Sequence, residues 1–160
     1  MDELKRGALE PLPETVKGHT QKMLVGDKKV YMRTGEYEDG RLAQLFIDVP
    51  VVEFGETTRA VLNNFAIAVS IALQAGVPLQ TYCDAFLGTE FMPNGKVQGV
   101  DGFQEAKSIL DIAFSELARS YNIEVKNEQR SRMQPDPIVE QLKALINPGS
   151  DSPDARKGII

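Results

Sequence analysis

Few residues of this 160-residue chain could carry out nucleophilic or metal chemistry. The chain contains one cysteine, Cys83, and one histidine, His19. Nucleophilic catalysis needs a thiol or hydroxyl beside a general base, and a zinc site needs several Cys or His ligands. Cys83 falls on the apolar face of a predicted helix beside Asp84, whose charge opposes thiolate formation, so we predict a packed, inert thiol. His19 follows Gly18 in a polar arm, where we expect a surface position. The sequence therefore predicts no catalytic residue and no metal site, although chemistry by carboxylates alone stays open.

Residues suited to binding are more frequent, and one group lies in a predicted hairpin. Tyr31, Arg33, Tyr37 and Arg41 combine aromatic rings with guanidinium groups, which are the side chains that protein interfaces favour. The same residues also fit a solvated sheet face with weak cross-strand ion pairs, such as Glu36 with Arg41. A docking surface and an ordinary exposed face both stay open.

Three further candidates are polar residues in unusual surroundings. Asn63 and Asn64 interrupt an apolar helix, where a buried amide is costly unless it is hydrogen-bonded. They could bond to backbone of the sheet or a loop, or they could face a ligand or partner. Lys96 follows the turn Asn94-Gly95 and could bind a phosphate, although the nearby glycines form neither a G-x-G-x-x-G nor a P-loop motif.

The element that must position these residues is an apolar stretch at 57–77. Its apolar residues recur at helical spacing: Val61, Phe65, Ile67, Ala68, Val69, Ile71, Ala72 and Leu73. A helix apolar on most faces must be covered on most faces, so we predict a buried central helix capped by Thr57 or Thr58. Its length also permits a membrane span, but the polar residues Asn63, Asn64, Ser70 and Gln74 favour a core helix.

Strands are predicted before this helix and further helices after it. Alternating runs at 22–25, 29–37 and 41–49, with Asp39-Gly40 between the last two, indicate an antiparallel meander of about three strands. A short helix is predicted after Pro78. A third is predicted from Asp101, with Gln104 in capping-box spacing, as far as Tyr121. Its buried stripe would be Phe103, Ala106, Ile109, Leu110, Ala113, Phe114, Leu117 and Tyr121, and its solvated side Lys107, Asp111, Glu116 and Arg119.

The order of strands followed by helices predicts an α+β fold. We expect an N-terminal arm at 1–20 and a domain at 21–122, in which the meander packs against two longer helices and one short helix. A linker at 123–135, a short C-terminal helix at 136–147 and a disordered tail at 148–160 follow. The turn-rich segment 88–100 is expected to carry no strand.

The composition predicts an ordinary globular protein: 42% of residues are hydrophobic and 26% are charged. The net charge of −5 argues against bulk binding to nucleic acid or to anionic membranes. The N-terminal residues lack the apolar run of a secretory signal, so we expect a cytoplasmic protein.

Four segments carry a recognisable signature: TQKMLVGDKKVYMRTGEYEDGRLAQLFID, LNNFAIAVSIALQAGVPLQTYCDAF, PNGKVQG and SILDIAFSELARSY. Together they closely resemble a C-terminal accessory region of adenosylcobalamin-dependent, class II ribonucleotide reductases. In such enzymes this region follows the catalytic barrel and precedes a cysteine-rich tail. The resemblance implies a lineage and not an activity, because radical reduction needs several cysteines inside a barrel.

The resemblance therefore implies a non-catalytic, stand-alone relative that acts by protein association in deoxyribonucleotide metabolism. A reductase subunit and a second copy of the chain are the expected partners. We expect no bound cofactor, with adenosylcobalamin connected only through the family. A second hypothesis is a nucleotide sensor whose pocket, between sheet and helices, is lined by Arg33, Asn63, Asn64 and Lys96. An independent hydrolase or transferase is the third.

Overall fold

The computed structural model describes residues 6–125, Leu142 and residues 144–146. Five strands and four helices lie within 6–125: β1 (Thr20–Val25), β2 (Lys28–Glu36), β3 (Leu42–Asp48), α1 (Val51–Phe54), α2 (Glu56–Gln74), α3 (Leu79–Phe86), β4 (Gly95–Gln98), β5 (Glu105–Ala106) and α4 (Ile109–Ser120). The predicted α+β class is confirmed.

The sheet is antiparallel and forms a half-barrel with the strand order β3-β2-β1-β4-β5. The predicted meander corresponds to β1, β2 and β3, and Gly40 adopts φ +88° in the turn between the last two. The prediction missed β4 and β5. These strands have four and two residues, which is too short for an alternating pattern to stand out in a turn-rich segment. Strand β4 pairs with β1 at a position where Val97 is buried beside Val25, and this burial accounts for the strand.

Helix α2 lies against the edge strand β3 and buries one face, formed by Leu62, Ala66, Val69, Ser70 and Leu73. The expectation of burial on most faces is wrong. Val61, Ile67 and Ile71 point away from the sheet, and 61%, 50% and 51% of their surfaces are exposed. An edge strand offers only one surface to a covering helix, so the opposite face of α2 stays uncovered by the described residues. The N-cap position is Gly55, and no side chain, including those of Thr57 and Thr58, caps the helix.

Helix α4 begins eight residues later than the sequence predicts. Ser108 is its N-cap, and the Ser108 hydroxyl accepts a hydrogen bond from the backbone N–H of Asp111 at 3.0 Å. Residues 101–102 form a turn with Gly102 at φ +83°, and Glu105 and Ala106 belong to β5. The buried stripe is otherwise as expected from Ile109 onwards, but Glu116, predicted on the solvated side, is 5% exposed.

An aromatic cluster joins the three longer helices on the inner side of the sheet. Phe65 of α2 packs edge-on against Phe86 of α3 and Phe114 of α4, with ring centroids 5.3 and 6.3 Å apart. Tyr82 stacks on the same two rings. Such aromatic pairs each contribute about 0.5–1.5 kcal/mol beyond simple burial, so this cluster fixes α3 and α4 relative to α2.

The chain divides into two compact units, Met1–Val125 and Lys126–Ile160. In the second unit, Leu142 and residues 144–146 are helical, within the helix predicted at 136–147. The rest of that helix, most of the linker at 123–135 and the tail at 148–160 lie outside the described residues. Every helix of the described residues is too short or too polar to cross a membrane.

Candidate functional site

The seven residues that the sequence singles out for binding lie in three separate places. These are the outer face of the sheet (Tyr31, Arg33 and Lys96), the β2–β3 hairpin (Tyr37 and Arg41) and helix α2 (Asn63 and Asn64). The helices cover the other face of the sheet, so Arg33 and Lys96 cannot line a pocket between sheet and helices. Among the described residues, Arg33 and Lys96 therefore lie on a different side of the sheet from the helix that carries Asn63 and Asn64.

Tyr37 and Arg41 hold the N-terminal arm against the β2–β3 hairpin. The Arg41 guanidinium lies 4.8 Å from the centroid of the Tyr37 ring and donates to both carboxylate oxygens of Glu10, at 2.9 and 2.7 Å. The Tyr37 hydroxyl, in turn, donates to the backbone oxygen of Glu10 at 3.0 Å. Arg41 also pairs with Asp39. The hairpin group is therefore a clamp, which we call the arm clamp: Glu10, Tyr37, Asp39 and Arg41.

The arm clamp sets the protonation behaviour of its own carboxylates. Side-chain hydrogen bonds from Arg41 hold the pKa of the Glu10 carboxyl below its ordinary value of 4.5. Hydrogen bonds from the backbone and the side chain of Arg41 hold the pKa of the Asp39 carboxyl below its ordinary value of 3.8. Burial raises the pKa of Tyr37. Sequence analysis missed Glu10 because it stands 31 residues from Arg41, and no local pattern connects the two.

Asn64 of α2 bonds within its own helix, whereas two other polar residues of the helix bond to the sheet. Asn64 is exposed and its amide donates to the backbone oxygen of Ala60 at 2.8 Å. Ser70 accepts from the N–H of Leu45 at 2.8 Å, and its oxygen lies 3.0 Å from the Leu45 carbonyl oxygen. Gln74 donates to the Ala43 oxygen at 3.2 Å. Their spacing of four residues places Ser70 and Gln74 on the same side of the helix, but the sequence does not indicate that this side faces the sheet.

The outer face of the sheet carries cations stacked on rings. The Lys22 ammonium lies 6.0 Å from the centroid of the Tyr31 ring, and the Arg33 guanidinium lies 5.2 Å from that of Phe46. An open groove of about 290 Å³ continues from Arg33 and Phe46 towards the arm. Its other lining residues are Val16, Gly18, His19, Thr20, Thr34, Gly35 and Gln44.

The uncovered side of α2 is the second exposed feature that could serve recognition. We call it the α2 outer face and define it by Ala60, Val61, Ile67, Ala68 and Ile71, all exposed and all apolar. They share one helical face, on which Ala60 and Val61 lie one turn before the exposed Asn64, and Ile67 and Ala68 lie one turn after it. Apolar residues at this spacing are the usual anchors of helix docking.

The residues considered for catalysis take structural positions. Cys83 is fully buried, as expected, and its sulfur lies 3.7 Å from the Phe114 carbonyl oxygen. His19 is exposed, as expected, with its imidazole 3.8 Å from the Glu36 carboxylate. Within the residues that the structure describes, no group of three His, Cys, Asp or Glu side chains is placed to hold a metal ion.

Comparison with known proteins identifies the family of the chain. A family model described as the TSCPD domain matches residues 5–121, well over half of the sequence. The chain belongs to the TSCPD domain family. This match contains the whole of the sheet and all four helices of the first unit, so the TSCPD domain and the described fold coincide.

Curated relatives of this TSCPD domain are named vitamin B12-dependent ribonucleotide reductases. Those of Bradyrhizobium diazoefficiens and Agrobacterium fabrum are 56% and 54% identical over 112 residues, which is 70% of this chain. The reductase of Rhodopirellula baltica is 35% identical over 102 residues, or 64% of the chain. These matches confirm the resemblance to the reductases. The matched segment makes up 9–10% of each of these reductases. No solved structure matches this chain.

The residues of this TSCPD domain do not fit a cobalamin. A corrin ring needs a deep pocket of far greater volume than the open groove of about 290 Å³ on the outer face. His19 is the single histidine of the chain, and it is exposed beside Glu36 and not directed into an enclosed cavity. The connection with vitamin B12 thus belongs to the named relatives, and no step of chemistry is assigned to the cofactor in this domain.

Proposed function

We propose that this TSCPD domain acts by protein association in deoxyribonucleotide metabolism, in the cytoplasm, and contributes no catalytic group of its own. Its partner is the remainder of a vitamin B12-dependent ribonucleotide reductase. The relatives support this partner, because about nine-tenths of each reductase lies outside the matched segment. The proposal holds whether that remainder is a separate subunit or part of the same polypeptide.

The observation that carries the proposal is the α2 outer face. Val61, Ile67 and Ile71 are each at least half exposed, and complete burial of such a side chain contributes about 1.5–3 kcal/mol. Contiguous apolar patches on a protein surface mark interaction sites more often than chance exposure does. The flanking Ala60 and Ala68 are small and allow close approach of a partner. A surface of this kind suits an apolar groove or helix on the reductase.

The nucleotide-sensor hypothesis receives no support of this kind. Its predicted residues are divided between two faces of the fold, with Arg33 and Lys96 on the outer side of the sheet and Asn64 on the exposed side of α2. The independent-enzyme hypothesis would need a nucleophile beside a base, and Cys83 is buried against Phe114.

Calorimetric titration tests the proposal with the Bradyrhizobium diazoefficiens reductase from which the matched 112-residue segment has been removed. We expect saturable binding of the unchanged TSCPD chain. Ile67→Glu should bind at least tenfold more weakly, because burying its charge in the interface costs more than roughly 1.4 kcal/mol, which corresponds to a factor of ten in affinity. Val52→Glu is the matched control, because Val52 is 98% exposed on α1 and lies outside the α2 outer face.

Two results would count against the proposal. If Ile67→Glu binds as tightly as the unchanged chain, the α2 outer face is not the docking surface. If the unchanged chain does not bind the reductase but sediments as a dimer that Ile67→Glu dissociates, the occupant of the face is a second copy, and association with the reductase is wrong.

A further inference from the structure

One face of the sheet collects positive charge on a chain whose overall charge is negative. Lys22, Lys29, Tyr31, Arg33 and Phe46 all alternate with buried residues in β1, β2 and β3, so all five point away from the core. We call this set the basic face. The strand register places Lys22 opposite Tyr31, and Arg33 opposite Phe46. Cations and rings therefore form one continuous surface across three strands.

The charged groups of the basic face have no ion-pair partner among the described residues, although the Glu53 carboxylate lies beside Lys29 and accepts from its backbone N–H at 2.8 Å. Within the described residues, no carboxylate lies within 4.0 Å of the charged groups of Lys22, Lys29 or Arg33. Arg41, by contrast, is paired with both Glu10 and Asp39, and Arg59 is paired with Asp48. Asp48 stands opposite Tyr31 in the register, but its carboxylate is bonded to Arg59 at 2.9 Å. The net charge of −5 averages over the chain and conceals this local excess of positive charge.

The shape of the basic face distinguishes between possible anionic partners. An extended acidic peptide usually pairs with the free edge of a sheet. In this fold Ser70 and Gln74 of α2 already occupy backbone groups on the edge of β3. Single-stranded nucleic acid instead lies across open faces, with bases stacked on aromatic rings and phosphates near Lys and Arg. Tyr31 and Phe46 are diagonal cross-strand neighbours, which places them about 7–8 Å apart.

The dimensions agree with a short single strand. Lys29 and Arg33 are four residues apart on β2, which is about 13 Å along the strand. The groove of about 290 Å³ continues this path beyond Arg33. Gly35, in its lining, is buried beneath the side chains of Gln44 and Val16. A Cβ on Gly35 would lie 2.7 Å from the Gln44 amide oxygen and 2.8 Å from a Val16 methyl group.

We infer that the basic face binds single-stranded nucleic acid over a segment of a few nucleotides. Phosphates interact with Lys22, Lys29 and Arg33, and bases stack on Phe46 and Tyr31. This binding is independent of the association proposed for the α2 outer face. The negative overall charge disfavours non-specific binding of nucleic acid to the rest of the surface, so we expect binding at the basic face only.

Fluorescence anisotropy with a labelled oligothymidylate of about 12 nucleotides tests the inference on the full chain. Each phosphate neutralised on a single strand contributes about −0.7 to the slope of log K against log salt. Three cations therefore predict a slope of about −2. The double variant Lys22→Gln/Arg33→Gln should bind at least tenfold more weakly, with a slope of about −0.7. Phe46→Leu should weaken binding several-fold and leave the slope unchanged, because it removes stacking and no charge.

The matched control is Arg6→Gln/Lys107→Gln, which removes the same two charge types from exposed positions elsewhere. It should bind within twofold of the unchanged chain. Circular dichroism melting should give each variant a Tm within about 2 °C of the parent, which excludes unfolding as the cause. Equal loss in the control would overturn the inference, as would no binding at low salt. Displacement of the oligonucleotide by an equal concentration of oligoglutamate would also overturn it, in favour of an acidic peptide.

Discussion

Ser70 satisfies two backbone groups on the edge of β3, although its hydroxyl is a small group in a largely apolar helix. The Leu45 N–H donates to it at 2.8 Å, and the Leu45 and Ala66 carbonyl oxygens lie 3.0 and 2.8 Å from the hydroxyl oxygen. An exposed edge strand invites unwanted pairing with other chains. Ser70 thus couples the covering helix to the strand and protects that edge.

Ser70→Ala should lower the free energy of unfolding by about 2 kcal/mol, because it leaves the Leu45 N–H buried without its acceptor. The higher helix propensity of alanine offsets only about 0.5 kcal/mol of that loss. Urea unfolding measures the change. Thr81→Ala removes a hydroxyl from an exposed position of α3 and should change stability by less than about 0.5 kcal/mol. Equal effects of the two substitutions would show that Ser70 has no special role.

Tyr121 joins the end of α4 to the end of β2. Its hydroxyl donates to the Glu36 carboxylate at 2.6 Å, and burial, followed by this hydrogen bond, raises the pKa of Tyr121 above its ordinary value of 10.0. A raised tyrosine pKa contributes stability that is present below the ordinary value and is lost as the pH rises through the folded value.

Tyr121→Phe should therefore cost about 1–2 kcal/mol near neutral pH, where the hydrogen bond to a charged acceptor is intact. The cost should shrink as the pH rises above about 10, because the parent chain then loses stability that the variant never had. Urea unfolding of both chains at neutral pH and at about pH 10.5 measures this difference. A cost that does not change with pH would mean that Tyr121 contributes only packing.

The attachment of the N-terminal arm to the domain should weaken as the pH falls. Arg41 holds the pKa of Glu10 below 4.5, so the arm clamp contributes stability above that value and loses it as the pH falls through the lowered pKa. The parent chain should lose stability between about pH 5 and pH 3, and Glu10→Gln should lose less over the same range because an amide does not titrate. Glu14→Gln, an exposed position of the same arm, should follow the parent. Melting curves at each pH decide this, and identical acid sensitivity of Glu10→Gln and the parent would contradict the role of the clamp.

The elements also show which features a single sequence can predict. Alternation and Asp39-Gly40 were enough for β2 and β3, because one face of each strand is buried and the other is not. The faces of α2 could not be assigned, since apolar residues surround the helix and composition does not state which side the sheet occupies. The predicted start of α4 was too early because Asp101 and Gln104 have the spacing of a capping box. The observed N-cap is Ser108, which accepts from the backbone N–H of Asp111 three residues later. The ion pair between Arg41 and Glu10 could not be predicted from the sequence, because only the tertiary structure brings the two residues together.

At the scale of the whole molecule, the arm belongs to the folded domain. The Glu10 N–H donates to the Gln74 oxygen at the end of α2. Lys17 and His19 accept backbone hydrogen bonds from Glu36 and Thr34 and so extend the pairing of β1. The TSCPD family match likewise begins at residue 5 and not at the boundary near residue 21 that the composition suggested. We therefore propose that the folding unit starts before Glu10.

A chain that begins at Gln21 should be less stable than a chain that begins at Leu9. It lacks three backbone hydrogen bonds, from Glu10 to Gln74, from Glu36 to Lys17 and from Thr34 to His19, together with the bonds of Tyr37 and Arg41 to Glu10. At about 1 kcal/mol net for each of the three backbone bonds and the Tyr37 bond, the difference should be about 3–4 kcal/mol. Urea unfolding of the two chains measures this difference in the free energy of unfolding. Both chains retain every helix and every strand from β2 onwards. The comparison therefore isolates the arm and the first residue of β1. Equal stability would place the start of the folding unit at β1 and would reduce the arm clamp to a surface contact.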